Sequence, residues 1–146
     1  MTRALVLYHS QQHGNTEKMA ESVAEGLKKS GFEVTLHNSN KSRYPINEYG
    51  NYDCLAIGTP DYFSYIAGTL KTFMDDWYLY RNKPGYKNKP YALFMSHGGG
   101  GRAKDSLSIF KYLGNQVGQT VTSRGSPSQE VLKYCKQLGV ELAKAL

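Results

Sequence analysis

Small polar residues follow the first apolar run of the chain and precede its clearest helical segment. Ser10 and Thr16 carry hydroxyls, Asn15 carries an amide, and Gly14 stands between them. Where such a loop opens a helix, the unpaired N–H groups of the first turn and the helix dipole attract an anion. The spacing therefore predicts a phosphate cradle. The alternative is structural, with Asn15 or Thr16 capping the helix and Gly14 making the turn.

The type of phosphate follows from what the cradle lacks. It contains neither the Gly-Lys-Ser/Thr of nucleoside-triphosphate loops nor the Gly-x-Gly-x-x-Gly of dinucleotide folds. A cradle without lysine suits a phosphate monoester that is held by hydroxyls and amides.

Two later segments could complete the site. Aromatic rings against which a flat heterocycle can stack follow the third apolar run: Tyr62, Phe63 and Tyr65. Gly98 to Gly101 follow the fourth run and let backbone approach a ligand closely, with Ser96 and His97 available for polar contacts. The three segments together predict a ligand that is both planar and phosphorylated.

Apolar runs alternate with helical stripes along the chain. The continuous runs lie at residues 4–8, 54–58 and 91–95, and the stripes at 19–27, 66–77, 107–113 and 131–142. Residues 32–37 alternate between apolar and polar, and the short, polar, β-branched segment 119–123 is a candidate edge strand. A short helix is expected around 46–49, and Ser126 to Gln129 matches a capping box with Pro127 at the first helical position. This alternation predicts an α/β fold of three layers, a parallel sheet with helices on both faces, for which 2-1-3-4-5 is a common order of five strands. Strands 1, 3 and 4 are then neighbours, so the three polar segments meet beyond their carboxyl ends.

Length and composition favour one domain spanning residues 1–146. No apolar stretch is long enough for a membrane span, and no signal peptide is recognisable, so we expect a cytoplasmic protein without membrane association. Cys54 and Cys135 lie in apolar segments and are expected to be buried free thiols, and no residue spacing predicts a metal site.

The net charge of +6 favours an acidic partner. The densest basic cluster is expected to solvate an exposed turn, and no nucleic-acid motif accompanies it: Arg81, Lys83, Lys87 and Lys89.

Two segments carry a family resemblance. Tyr8 to Glu17 resembles the flavin phosphate loop of the flavodoxin superfamily, which binds FMN. Gly58 to Phe63, followed by Ala67 to Asp75, is similar to the branch of NAD(P)H-dependent FMN reductases and flavodoxin-like quinone reductases. The chain departs from that branch at Ser64, where glycine is frequent, and in lacking long insertions. Its basic pI of about 9.2 differs from the acidic pI of typical flavodoxins.

The resemblance implies a flavodoxin-like fold and an FMN site whose residues can be assigned by position. The phosphate would be held by the first loop: Ser10, Gln12, His13, Gly14, Asn15 and Thr16. The ring and ribityl chain would lie against the second: Thr59, Pro60, Asp61, Tyr62 and Phe63. The ring edge would meet the third: Ser96, His97, Gly98 and Gly99.

Three functions are consistent with these residues. The first is electron transfer by bound FMN to and from a redox partner protein, for which the charge favours an acidic partner. The second is a small NAD(P)H-dependent flavin or quinone reductase, and the third is a basic binding module without flavin. A response-regulator domain has the same strand order but needs acidic residues after strand 1 and at the end of strand 3, where this chain has His9, Ser10 and Thr59.

Overall fold

The computed structural model describes all residues from Met1 to Leu146. Five strands form one parallel sheet: β1 (Arg3–Tyr8), β2 (Glu33–Asn38), β3 (Cys54–Pro60), β4 (Tyr91–His97) and β5 (Val121–Arg124). Three α-helices alternate with them: α1 (Asn15–Lys29), α2 (Gly68–Tyr80) and α3 (Gln129–Lys144). Two 3-10 helices complete the chain, a short one at Ile46–Asn51 and a long one at Arg102–Leu113.

The strand order in the sheet is β2-β1-β3-β4-β5, which confirms the predicted topology. Every neighbouring pair is parallel, and the register sets Tyr8 beside Gly58 and Thr59 beside Met95. The carboxyl ends of β1, β3 and β4 therefore lie side by side, and the loops that leave them begin at one edge of the sheet.

Alternate residues of the central strands enter two separate cores. Leu5 and Leu7 point to the face covered by α2 and the two 3-10 helices, and Phe73 and Trp77 belong to this core. Val6 and its alternating neighbours point to the opposite face, which α1 and α3 cover. Strands that are buried on both faces explain the continuous apolar runs of the sequence.

The third helical stripe, at residues 107–113, forms a 3-10 helix rather than an α-helix. Its buried residues Leu107, Phe110 and Leu113 recur every three positions, and side chains three apart lie above one another in a 3-10 helix. In addition, the hydroxyl of Ser106 donates to the carbonyl oxygen of Ala103 at 2.6 Å, which competes with α-helical hydrogen bonding. The strict period of three was the signal for this geometry.

The capping-box prediction for α3 was wrong in register. Ser128, not Ser126, is the N-cap, and its hydroxyl accepts the N–H of Val131 at 3.1 Å. Pro127 therefore lies before the cap. Ser126 and Ser128 are only two residues apart, so the local sequence permits either serine as the N-cap. The helix begins after Ser128, because its hydroxyl accepts the N–H of Val131, which has no partner within the helix.

The prediction that all four cations of the 81–89 cluster solvate a turn was wrong for Lys89. This side chain is 5% exposed, and its Nζ donates to the carbonyl oxygen of Tyr49. Cys54 and Cys135 are buried free thiols, as predicted. None of the helices has both the length and the apolar character that crossing a bilayer requires.

Candidate cofactor site

The loop between β1 and α1 presents a row of unpaired donors. Gly14 precedes the helix in the left-handed conformation, with φ of 72°, which glycine adopts without strain. The helix begins when Lys18 N–H bonds the carbonyl of Gly14. The consecutive backbone N–H groups of Gln11 to Thr16 donate to no acceptor within the protein. Such a row at a helix N-terminus is an anion site.

The side chain of Asn38 fixes the start of this loop. Its Oδ1 accepts the N–H of Ser10 at 3.1 Å, and its Nδ2 donates to the carbonyl of Ser10 at 2.9 Å. The hydroxyl of Ser10 in turn accepts the N–H of Glu17 at 3.3 Å. Asn38 was not predicted as a site residue, although its place at the end of β2, beside β1, was a usable signal.

A partly buried series of side-chain hydrogen bonds supports the cradle. His9 Nδ1 lies 2.7 Å from the hydroxyl of Thr69, which lies 2.7 Å from that of Ser39. The other ring nitrogen of His9 lies 2.6 Å from Gln11 Oε1. These hydrogen bonds join the loops after β1 and β2 to the first turn of α2, so three segments fix the position of the cradle.

Thr16 connects the first loop to the third. Its hydroxyl lies 2.7 Å from that of Ser96, and both residues are buried at the edge of the cavity. Each hydroxyl can accept as well as donate, so the pair still has hydrogen-bonding capacity for a ligand.

The aromatic loop is a tight turn without glycine. Tyr62 and Tyr65 exchange backbone hydrogen bonds, while Phe63 and Ser64 between them have φ of 56° and 64°. The Asp61 carboxylate holds this strained turn, since Oδ1 accepts the N–H of Ser64 at 2.8 Å. Its Oδ2 accepts the N–H of Ala103 at 3.0 Å, at the start of the long 3-10 helix. One carboxylate therefore joins the second loop to the third.

The glycine loop provides a second group of unpaired donors. The N–H groups of Gly98, Gly99 and Gly100 donate to no acceptor within the protein. His97 Nδ1 is buried without a hydrogen-bond partner, although the carbonyl of His97 accepts the N–H of Gly125 at 2.7 Å. The carboxyl end of β5 thus joins the same edge.

A cavity of about 230 Å³ lies where the loops converge. Twelve predicted residues line it: Ser10, Gln12, His13, Gly14, Asn15, Thr16, Pro60, Asp61, Tyr62, Ser96, His97 and Gly98. Gln11 and Gly125 also line it and were not predicted. Gly125 could have been found from the predicted end of the fifth strand, since that strand neighbours the fourth.

Three predicted residues do not line the cavity. Thr59 is fully buried, and its hydroxyl joins the ends of the aromatic loop by accepting the N–H of Ala67 at 3.0 Å and donating to the carbonyl of Pro60. Phe63 occupies the tip of the turn, where its side chain is fully exposed. Gly99 lies beyond the point at which the third loop leaves the cavity wall.

The chemistry of the lining fits a phosphorylated planar group. No lysine or arginine lines the cavity, so a phosphate there would be bound by N–H groups and hydroxyls, as the cradle sequence predicts. Tyr62 is the aromatic residue of the lining, and burial raises the pKa of its phenol above the ordinary value.

Comparisons with known proteins agree with this geometry. The model of the flavodoxin family matches residues 6–140. A solved flavodoxin from the domain Archaea is 22% identical, with 99% of this chain and 98% of that chain covered and a TM-score of 0.82. A WrbA-like flavodoxin protein from Agrobacterium tumefaciens is 21% identical, with 99% and 97% covered and a TM-score of 0.82.

A third solved structure is a larger enzyme. The rubredoxin oxygen:oxidoreductase of Desulfovibrio gigas is 19% identical, with 98% of this chain but 35% of that chain covered and a TM-score of 0.86. These likenesses establish the fold, and the family match covers most of the sequence. The chain belongs to the flavodoxin family and is a flavin-binding electron-transfer protein.

Proposed function

We propose that the protein binds FMN in the cavity at the carboxyl edge of the sheet and acts as an electron carrier. The observation that supports this is the row of unpaired N–H groups from Gln11 to Thr16, which borders the same cavity as Tyr62 and Gly98. The row matches the phosphate of FMN, and the Tyr62 ring and the Gly98 backbone of the same lining suit a flat ring.

Each loop has its own part in this proposal. The N–H groups and hydroxyls of the first loop bind the phosphate, and the Thr16 and Ser96 pair joins that site to the third loop. Pro60 and Tyr62 orient the ring on one side, and the backbone of His97 and Gly98 approaches its edge. When bound, the flavin supplies the redox chemistry, while the protein fixes its position and surroundings.

A comparison of two flavins tests the phosphate assignment. FMN should bind much more tightly than riboflavin, because the donors of the cradle have no acceptor on a ligand without phosphate. Thr16→Ala should weaken FMN binding by about tenfold through the loss of one hydrogen bond to an anion, and should leave riboflavin binding nearly unchanged. Quenching of flavin fluorescence gives both affinities.

Thr16→Ser is the matched control, because it keeps the hydroxyl and should retain most of the FMN affinity. Equal affinities of the wild-type protein for FMN and riboflavin would contradict the phosphate assignment.

The carrier role is tested separately. A carrier should oxidise added NADPH slowly or not at all, and should exchange electrons with a small redox protein. Sustained NADPH oxidation in the presence of a quinone or free flavin would contradict the carrier role and favour the small reductase.

A further inference from the structure

A second large cavity lies on the face of the molecule that carries α2 and the long 3-10 helix. This groove has a volume of about 620 Å³ and shares no lining residue with the cofactor cavity. Its floor includes the apolar side chains of Met74, Trp77 and Ile109. Its rims include Tyr78 and Tyr112, which are 58% and 60% exposed. An apolar floor beneath exposed aromatic rims is typical of a binding surface.

The charges around the groove are mostly positive. Lys71, Arg81 and Lys87 line it, while Asp75 is the only carboxylate of its lining. Asp75 is already paired with the Nζ of Lys71 at 2.6 Å. Arg81 and Lys87 form no ion pair, so an excess of two positive charges remains at one end of the groove.

A cation covers one face of each aromatic ring of the rims. The Arg81 guanidinium lies 3.9 Å from the centre of the Tyr78 ring, and Lys111 Nζ lies 5.2 Å from that of Tyr112. Stacking of a nucleobase on either of these faces would displace the cation, which disfavours single-stranded nucleic acid. The floor between the rims still accepts an apolar side chain.

The position of the groove leaves the cofactor accessible. Arg81 follows the last residue of α2, and Lys87 precedes β4, so both lie toward the amino ends of the strands. The cofactor cavity lies at the carboxyl ends. Carboxylates bound at Arg81 and Lys87 would therefore lie away from the flavin.

We propose that the groove binds an acidic segment of a partner protein that inserts one apolar or aromatic side chain. Its carboxylates would meet Arg81 and Lys87, and its anchor would lie on Trp77 and Ile109. The proposal is independent of the cofactor, since it uses none of the residues assigned to flavin binding.

The test uses a short fluorescein-labelled peptide in which a central Leu-Phe pair is flanked by glutamates. Fluorescence anisotropy should show saturable binding to the purified holoprotein that weakens as salt is added. Replacing the glutamates by glutamines, or the Leu-Phe pair by two serines, should each reduce affinity by about tenfold or more. Trp77 is the only tryptophan, so its emission should change with the first peptide alone.

Two double variants with the same net charge locate the site. Arg81→Gln with Lys87→Gln should weaken peptide binding by about tenfold or more. Lys28→Gln with Lys29→Gln removes two exposed cations from α1, on the opposite face of the sheet, and should change it less than about twofold.

Three results would overturn the proposal. Equal losses in the two double variants would mean that the peptide responds to net charge alone. An unchanged affinity of the serine peptide would mean that the apolar floor does not contribute. Tighter binding of single-stranded oligothymidylate at the same groove would assign it to nucleic acid instead.

Discussion

Asp61 accepts backbone hydrogen bonds from two different loops of the cofactor site. The N–H groups of Ser64 and Ala103 both point at its carboxylate. The first bond stabilises a turn in which two non-glycine residues have positive φ, and such backbone costs about 1–2 kcal/mol per residue. The residue is therefore both part of the cavity wall and the link that fixes the relative position of the second and third loops.

We expect Asp61→Asn to lower the free energy of unfolding by about 1–2 kcal/mol, because an amide can accept one of the two N–H groups but not both. Chemical denaturation of the two proteins measures the difference. Asp105→Asn is the control, since this exposed carboxylate makes no side-chain hydrogen bond. An Asp61→Asn protein as stable as the Asp105→Asn control would show that the carboxylate does not hold the turn.

Lys89 is a buried cation outside the cofactor site. Its Nζ lies 3.9 Å from the centre of the Tyr49 ring and 2.5 Å from the carbonyl oxygen of the same residue. Burial lowers the pKa of Lys89 to about 8, against about 10.4 in an unfolded chain. Between these values the unfolded state binds more protons than the folded state, so this group makes stability rise with pH.

Lys89→Met should accordingly be more stable than the wild-type protein at pH 7, by up to about 3 kcal/mol, which is the free energy that corresponds to this pKa difference. The Tyr49 carbonyl keeps a partner in this variant, since it also accepts the N–H of Tyr52. The advantage should shrink as the pH rises from 8 to 10.4, as urea denaturation at several pH values would show. Lys87→Met, at an exposed position, should show no such pH dependence.

At the level of elements, α1 and α3 pack through two glycines. A Cβ added to Gly26 would overlap the carbonyl oxygen of Lys136, and one added to Gly139 would overlap that of Val23. Glycine within a helix costs about 1 kcal/mol relative to alanine, and here it allows the two backbones to approach closely. The pattern of apolar residues predicts both helices but not this distance between them.

Gly139→Ala should therefore destabilise the protein by about 1–3 kcal/mol through overpacking, despite the higher helix propensity of alanine. Gly68→Ala is the matched control, because nothing lies within contact distance of a Cβ at this first residue of α2. It should leave the melting temperature unchanged or slightly raised. If Gly139→Ala had the same melting temperature as the control, α1 and α3 could move apart without loss of stability.

For the whole molecule, the positive charge extends to the mouth of the cofactor cavity. Arg102 follows the glycine loop, and Arg124 is the last residue of β5 at the same edge of the sheet. Both side chains are exposed, and neither forms an ion pair. The Asp61 carboxylate in the wall is already satisfied by two N–H groups. With a net charge of +6, the field at this edge should favour the approach of an acidic redox protein.

Electron transfer to an acidic small redox protein should be fast at low salt and should slow as ionic strength passes about 0.1 M, where the Debye length is about 10 Å. Transfer to a basic redox protein of similar potential should show the opposite trend. Stopped-flow absorbance of the flavin measures both rates. A rate with the acidic protein that rises with salt would mean that the docking face is locally acidic.

The sequence by itself determined the features that depend on local pattern. Continuous apolar runs are typical of strands that are buried on both faces, and their alternation with helical stripes predicts a parallel sheet covered by helices. The order 2-1-3-4-5 is the one that the family resemblance of the first two loops implies. The cradle could also be located, because a glycine with positive φ and the free N–H groups of a helix start depend on neighbouring residues alone.

Only the tertiary structure decided which side chains hold the cradle and which cations are buried. Asn38 and Ser10 are 28 residues apart, and Lys89 and Tyr49 are 40 apart, so no local pattern records their hydrogen bonds. Asp61 belongs to the predicted loop, but the hydrogen bond that its Oδ2 accepts from Ala103 joins residues that are 42 positions apart. A hydrogen bond between distant segments exists only once the sheet has brought their ends together, and for that reason the composition of the site was predictable while its internal support was not.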